Sequence, residues 1–379
     1  MVFLALAPAV ALGLARFAYA LVLPDMRADL GWSYAEAGWM NGINAIGYLL
    51  GAMGASLAIS RIGAWTTITC GCAVCVLGLA LCAVTRDFGF LSAARFLAGA
   101  GGAFAFAAGG FLAAAIAQPH GQRGAFLLGL FYAGPGLGIL LSGISVPATL
   151  AAAGSAFWPV AWAILAALAA LFTVGLWQVR AVSDGARSAD HRRAPLRPMW
   201  RLLAGYLAFG CGYIAYMTFM IAWVRDLGGS ATFQGLFWSV IGLGVMVSPW
   251  LWSGRIGALD GGRTFAVLSG IMMIGAVLPL LHDASAVLLL SAALFGCSFF
   301  GVVGSTTAFV RRNLPRAAWA SGIGAMTVSF SLGQIIGPVG TGLITDLVGG
   351  LSSGLWISAA LIGLGACLAG FQPSLPVEG

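Results

Sequence analysis

Two arginines stand where an arginine is hardest to keep. Arg16 lies in the apolar run Val2 to Pro24, and Arg95 in the run Phe88 to Ala117. A guanidinium holds its charge at neutral pH, so at bilayer depth it is costly unless a partner or water reaches it. Its planar fork of N–H donors suits a carboxylate or a similar anion. Counted inward from Pro24 and from Phe88 at 1.5 Å per residue, both positions reach roughly 10–12 Å inside one membrane boundary. The chemistry on offer is recognition of negative charge. The competing readings are a structural pair or a snorkelling side chain for Arg16, and helix packing or a coupling role for Arg95.

Helical spacing gathers further polar groups. Asn41, Asn44 and Tyr48 share one face of the second apolar run, and Tyr206, Tyr213, Tyr216 and Met220 share a face of the seventh. Gln234 and Trp238 pair on the eighth; Thr327, Ser331 and Gln334 share a face of the eleventh. Candidate substrate contacts are therefore Arg16, Tyr19, Asn41, Asn44, Tyr48, Arg95, Tyr213, Tyr216, Gln234, Trp238, Thr327 and Gln334. Such stripes also glue membrane helices together.

Coupling is harder to place. No acid or histidine lies deep in any run; Asp25, Glu36, Asp226 and Asp346 sit only near one set of ends. Coupling candidates are Arg95, Glu36 and Asp25, although Ser33-x-x-Glu36 also reads as a capping box. Three routes stay open: a proton through Glu36 or Asp25, a proton travelling with an acidic substrate, or exchange against a counter-anion. Cys70-x-Cys72-x-x-Cys75 has no neighbouring histidine or acid and reads as small packing residues. His120, His191 and His282 fall in loops, and no nucleophile–base pair or phosphate-binding loop can be assembled. The expectation is no enzyme, no metal and no cofactor.

The elements that must position these groups are membrane helices. Hydrophobic residues make up 60% of the 379 and charged residues 8%, against about a quarter charged in soluble proteins. Twelve apolar runs cover 2–24, 34–60, 64–85, 88–117, 124–147, 156–178, 201–223, 232–253, 264–282, 285–310, 317–345 and 351–371. Each is long enough to cross ~30 Å of hydrocarbon. The first lacks a basic leading segment and is followed by many others, so it reads as a span rather than a signal peptide. The 56 glycines mark close helix packing.

Charge gives the topology. All 18 basic residues are arginine, and the net charge is +7. Alternate loops hold 13 of them: Arg61, Arg123, Arg180, Arg187, Arg192, Arg193, Arg197, Arg201, Arg255, Arg263, Arg311, Arg312 and Arg316. The opposite loops hold only Arg27, Arg86 and Arg225, beside Asp25, Asp29, Glu36, Asp87, Asp226, Asp283 and Asp346. The positive-inside rule then puts both termini in the cytoplasm of a multi-pass inner-membrane protein. Basicity here means topology, and nucleic acid is not an expected partner.

The chain divides into 1–178, a polar cytoplasmic linker 179–200, and 201–379, with six runs on each side. The halves echo each other. Ser60-Arg61-Ile62-Gly63-Ala64 follows the second run and Gly254-Arg255-Ile256-Gly257-Ala258 the eighth. Gly134-Pro135 interrupts the fifth and Gly337-Pro338 the eleventh. Such matching is what a parallel internal repeat leaves in a sequence.

These residues resemble the major facilitator superfamily over essentially the whole chain. Arg95, Gly99 and Gly101 match its fourth-span motif, and Gly134, Pro135 and Gly138 its fifth-span motif. Arg61 and Gly63 match the loop motif, while Ser56 and Ser60 depart from it. The stretch ARFAYALVLPDMRADLGWSYAEAGWMNGINAIGYLLGA resembles the bacterial YbfB/YjiJ-type branch. The resemblance implies an all-α polytopic membrane protein of two six-helix bundles. Spans 1, 4, 7 and 10 would line a central cavity, and Arg61, Gly63, Gly134, Pro135, Arg255, Gly257, Gly337 and Pro338 would serve conformational change. The expected activity is alternating-access secondary transport of a small organic anion, such as a monocarboxylate or amphipathic acid, by a monomer. A drug-efflux antiporter and a non-transporting membrane sensor or scaffold are the alternatives.

Overall fold

The computed structural model describes residues 1–120, 122–180, 193–256 and 259–375. Among these are twelve helices of membrane-crossing length and composition. They are α1 Phe3–Leu30, α2 Tyr34–Ile62, α3 Ala64–Val84, α4 Phe88–His120, α5 Arg123–Ala153, α6 Ser155–Val179, α7 Arg197–Asp226, α8 Ala231–Trp252, α9 Arg263–Leu281, α10 Ser285–Asn313, α11 Arg316–Val348 and α12 Leu351–Gly370. They form two six-helix bundles, α1–α6 and α7–α12. Gly257 and residues 181–192 of the anticipated linker lie outside the described residues, as does the end of the chain beyond Leu375.

Burial sorts the helices by role. α1 and α7 are enclosed along nearly their whole length, whereas α6 and α12 keep broad apolar faces outward. Outward-facing apolar residues such as Leu171, Val174 and Leu364 are what a lipid-facing surface requires. The bundles meet along two seams. α5 runs against α8 over Gly136, Gly143, Gly235 and Gly242. α2 meets α11 through Gly38 and Gly42, which face Ile335, Pro338 and Val339.

α1 departs from expectation in two ways. It continues past Pro24 to Leu30 and stops at Gly31, whose φ of 66° is left-handed. A proline deprives a helix of one hydrogen bond; a glycine that can turn left-handed ends it. Within α1, Ala9–Phe17 is wound as a π-helix, and the turn closes with Ala18 N–H donating five residues back to Gly13 O at 3.1 Å. This wider winding is rare and concentrates at functional sites.

The two Gly-Pro segments do the same work in the two bundles. Gly138 of α5 abuts Ala9 and Gly13 of α1, and Gly337 of α11 abuts the Cys211 carbonyl of α7. A side chain at either position would overlap backbone. Each motif thus lets a seam helix press against the buried central helix of its own bundle.

Candidate functional site

The wide π turn of α1 carries Arg16 to the boundary between the bundles, where it is 3% exposed. Its Nη2 donates to Gln334 Oε1 of α11 at 2.7 Å, and Gln334 Nε2 donates onward to the Tyr213 hydroxyl of α7 at 2.6 Å. The Tyr48 ring of α2 lies 5.1 Å from the guanidinium carbon. Arg16 Nε is buried and finds no partner. Two other orphaned polar atoms flank this group: Asn44 Oδ1, one turn from Tyr48, and Ser331 Oγ, one turn from Gln334. Four helices from both bundles therefore converge on one cation. Among the described residues, the hydrogen-bond acceptor they give it is a neutral amide oxygen.

Arg95 lies next door under opposite conditions. Its Nη1 donates to Ala15 O at 2.7 Å, Nη2 to Asn41 Oδ1 at 3.1 Å and Arg16 O at 3.4 Å, and Nε to Met40 O at 3.3 Å. The rings of Tyr19 and Trp162 flank it at 5.0 and 5.6 Å. Tyr19 is fixed in turn by donating to Ala37 O at 2.8 Å. Asn44 Nδ2 donates to Arg95 O at 2.9 Å, and Asn41 Nδ2 crosses to Thr218 Oγ1 of α7 at 2.6 Å. Among the described residues neither arginine is ion-paired; the three pairs there are Arg86–Asp29, Arg225–Asp25 and Arg312–Asp260.

Of the candidate contacts, Arg16, Tyr48, Tyr213 and Gln334 form one group, and Arg95, Tyr19, Asn41 and Asn44 form the layer against it. The other four are bonded elsewhere. Tyr216 stacks on Phe295 and its hydroxyl shares a hydrogen bond with that of Ser291, inside the second bundle. Trp238 reaches Ser142 on the α5–α8 seam, Gln234 reaches Gly229 O at the start of α8, and Thr327 bonds its own helix at Ile323 O. Sequence reading did not single out the aromatic wall beside Tyr213. Phe299 lies at 5.0 Å from the Tyr213 ring and Phe330 stacks on it at 5.3 Å, while Phe17 meets Phe299 at 6.0 Å.

The acidic end of the molecule is closed. Asp25 of α1 pairs with Arg225 of α7 at 2.9 Å, bridging the bundles. Asp346 of α11 accepts from the N–H groups of Tyr34 and Ala35, both at 2.9 Å, and so caps the start of α2 from the other bundle. Ser33 and Glu36 complete that cap as the anticipated box. A carboxylate at a helix N-terminus satisfies orphan donors and the positive end of the helix dipole together. Arg27 lies over the Tyr34 ring at 3.8 Å. Arg61 and Arg255 are exposed at the opposite, arginine-rich end, and Gly63 takes φ 80° where α2 turns into α3. Among the described residues no group of histidine, cysteine, aspartate and glutamate could hold a metal ion.

A family model described as "Uncharacterised MFS-type transporter YbfB" matches residues 8–370. No curated protein matches the sequence. Among solved structures, the nucleoside transporter NupG is similar, with a TM-score of 0.72 at 14% identity over 97% of both chains. So is a bacterial homologue of the human lysosomal transporter Spinster, in an inward-facing, unoccupied conformation. Its TM-score is 0.71 at 14% identity over 99% of this chain and 98% of that one. At such identities the likeness is one of fold.

Proposed function

The chain belongs to the family of MFS-type transporters described by YbfB, and from that premise we propose that it carries a small organic anion across the inner membrane. The observation that supports this reading is Arg16. It is a buried, permanent charge between the two bundles with no acidic partner among the described residues and an unbonded Nε. A buried cation must have its donors satisfied. Carbonyls do this for Arg95, whereas the donors of Arg16 stay incompletely met and would be completed by a negative group or water. A carboxylate entering between α1, α2, α7 and α11 would meet the Arg16 fork, with the Gln334 amide and the Tyr213 hydroxyl beside it. Phe299, Phe330 and Tyr48 would face the organic part, which favours an amphipathic acid over a bare inorganic ion.

Transport by alternating access then requires opening the acidic end. Opening breaks the Asp25–Arg225 pair and withdraws Asp346 from the start of α2. Asp25 is engaged in that closure and Glu36 in the cap of its own helix; exchange of one anion for another, or a proton arriving on the acid itself, would need no further titrating group. Both termini would lie on the cytoplasmic side with the arginine-rich loops.

The test is uptake of a panel of organic acids into proteoliposomes by the wild type and by R16A. Losing a desolvated, charge-assisted contact costs about 2–5 kcal/mol, so accumulation of the preferred acid should fall about hundredfold. The melting midpoint of R16A should hold. Full uptake by R16A, or R16A-insensitive uptake of a neutral nucleoside or lipophilic cation, would overturn the assignment.

A further inference from the structure

Polar groups continue from Arg16 toward the arginine-rich end. Tyr48 of α2, Tyr132 of α5 and Thr307 of α10 are partly exposed, although each lies within a membrane-crossing helix. Their hydroxyls make no hydrogen bond among the described residues. None of the three is a sealed, orphaned atom, so water can reach each of them.

The helices turn these groups inward. Tyr48 lies on the side of α2 opposite its outward-facing Leu50, Met53 and Leu57. Tyr132 packs on Phe300 of the other bundle at 5.9 Å. Phe300, Thr307 and Arg311 recur at i, i+7 and i+11, within about 20° of one line along α10. Thr307 and Arg311 therefore follow Phe300 on the face turned to α5. Since the acidic end is closed by Asp25, Arg225 and Asp346, the line leads out at the arginine-rich end.

Electrostatics joins the line to Arg16. The Tyr48 hydroxyl is in range of both Arg16 and Tyr132, and Tyr132 is in range of Arg311. Arg311 is exposed, lies over the Trp319 ring at 5.6 Å, and has no acidic partner among the described residues. Arg312 beside it turns elsewhere, to Asp260 and Leu259 O at 3.4 Å each. A cation suits the last turn of a helix, which accounts for both arginines but not for the hydroxyls that lead inward from one of them.

We infer that Arg311, with the Thr307 and Tyr132 hydroxyls, forms a second carboxylate station, which holds the transported acid between the arginine-rich end and Arg16. The guanidinium draws the anion in, and the hydroxyls replace part of its water as it moves toward Tyr48. The station rests on the anion reading of Arg16, because a neutral cargo would have no use for it.

The test reads the potential along the line. T307C in the full-length protein is labelled with the anionic thiol reagent MTSES and, separately, with the cationic MTSET; the wild type gives the background of its seven cysteines. Rates are expressed relative to a free thiol, so intrinsic reagent reactivity drops out, and the ratio cancels any change in thiol ionisation. MTSES should be favoured. R311Q should lower that preference about tenfold at low salt and less at high salt, as expected for one charge a helical turn away. R312Q removes the same charge from a different face and should leave the ratio intact. In proteoliposomes R311Q should also raise the KM of the preferred organic acid about tenfold, and that acid should slow MTSES labelling of T307C. Resistance of T307C to both reagents, or a preference that R311Q does not move, would overturn the station alone where uptake is still lost in R16A. Wild-type vesicles that take up no organic acid would overturn the cargo reading and the station with it.

Discussion

Arg95 and Arg16 are neighbours, both almost wholly buried, and they are solved in opposite ways. The Arg95 fork is consumed by three backbone carbonyls and one amide oxygen, between two aromatic rings. Each of its three nitrogens donates, and it binds α1, α2 and α4 into one unit. Arg16 makes one short contact, to a side chain of the other bundle, and leaves Nε unbonded. The difference separates a charge that holds a bundle together from a charge that waits between bundles. A buried cation saturated by its own bundle does not change when the bundles rock apart. One whose acceptor sits across the boundary is reset at every cycle.

The sharpest way to break the comparison is to remove Arg95. R95M keeps much of the volume but removes all four hydrogen bonds that Arg95 donates and leaves Asn41 Oδ1 without its donor. Hydrogen bonds to charged groups contribute about 1.5–3 kcal/mol each, so the variant should lose several kcal/mol, visible as collapse of folded yield and a steep fall in melting midpoint. A stable R95M would make Arg95 a ligand contact rather than a fastener.

A subtler change gives Arg16 a saturating partner such as Arg95 already has. Q334E supplies the missing acid with almost no change in shape. The carboxylate so introduced would pair with Arg16 across the bundles and compete with any incoming anion. Transport should fall about hundredfold, roughly 2.7 kcal/mol of lost binding, while the melting midpoint rises or holds. Retained uptake in Q334E would show that Arg16 does not receive the cargo.

Much of this was legible in the sequence, and the part that was not has a physical reason. Span lengths, the one-sided arginines and the paired Gly-Pro segments are local or periodic signals, and all twelve helices follow them. The matching depth of Arg16 and Arg95 followed from rise per residue, and their contact through the Arg16 carbonyl agrees with it. Helical spacing put Ser331 and Gln334 on one face, but it says nothing about what that face meets; Arg16 and Gln334 are 318 residues apart. The partners of Arg95 were invisible for another reason. They are backbone carbonyls of Ala15 and Arg16, at the point where α1 passes from π winding back to α winding. No side-chain pattern announces such a junction. The bridges at the acidic end depended on pairing across bundles, so their acids could be named by position but not matched.

The smallest expected effect tests the comparison through the rings, where the two arginines look most alike. Tyr48 lies 5.1 Å from the Arg16 guanidinium and Tyr19 lies 5.0 Å from that of Arg95. By ring geometry alone, removing either should cost the same, about 1–2 kcal/mol for a desolvated cation–π contact. Their settings differ: Tyr48 is half-buried at the bundle boundary, while Tyr19 is enclosed and bonded to Ala37. Y48L should therefore raise the KM for the transported acid about five- to thirtyfold, by the same arithmetic, with the melting midpoint unchanged. Y19L should lower the midpoint by several degrees and leave KM alone. Crossed results, with Y48L unstable and Y19L altered in KM, would mean that Arg95 faces the cargo and Arg16 the scaffold.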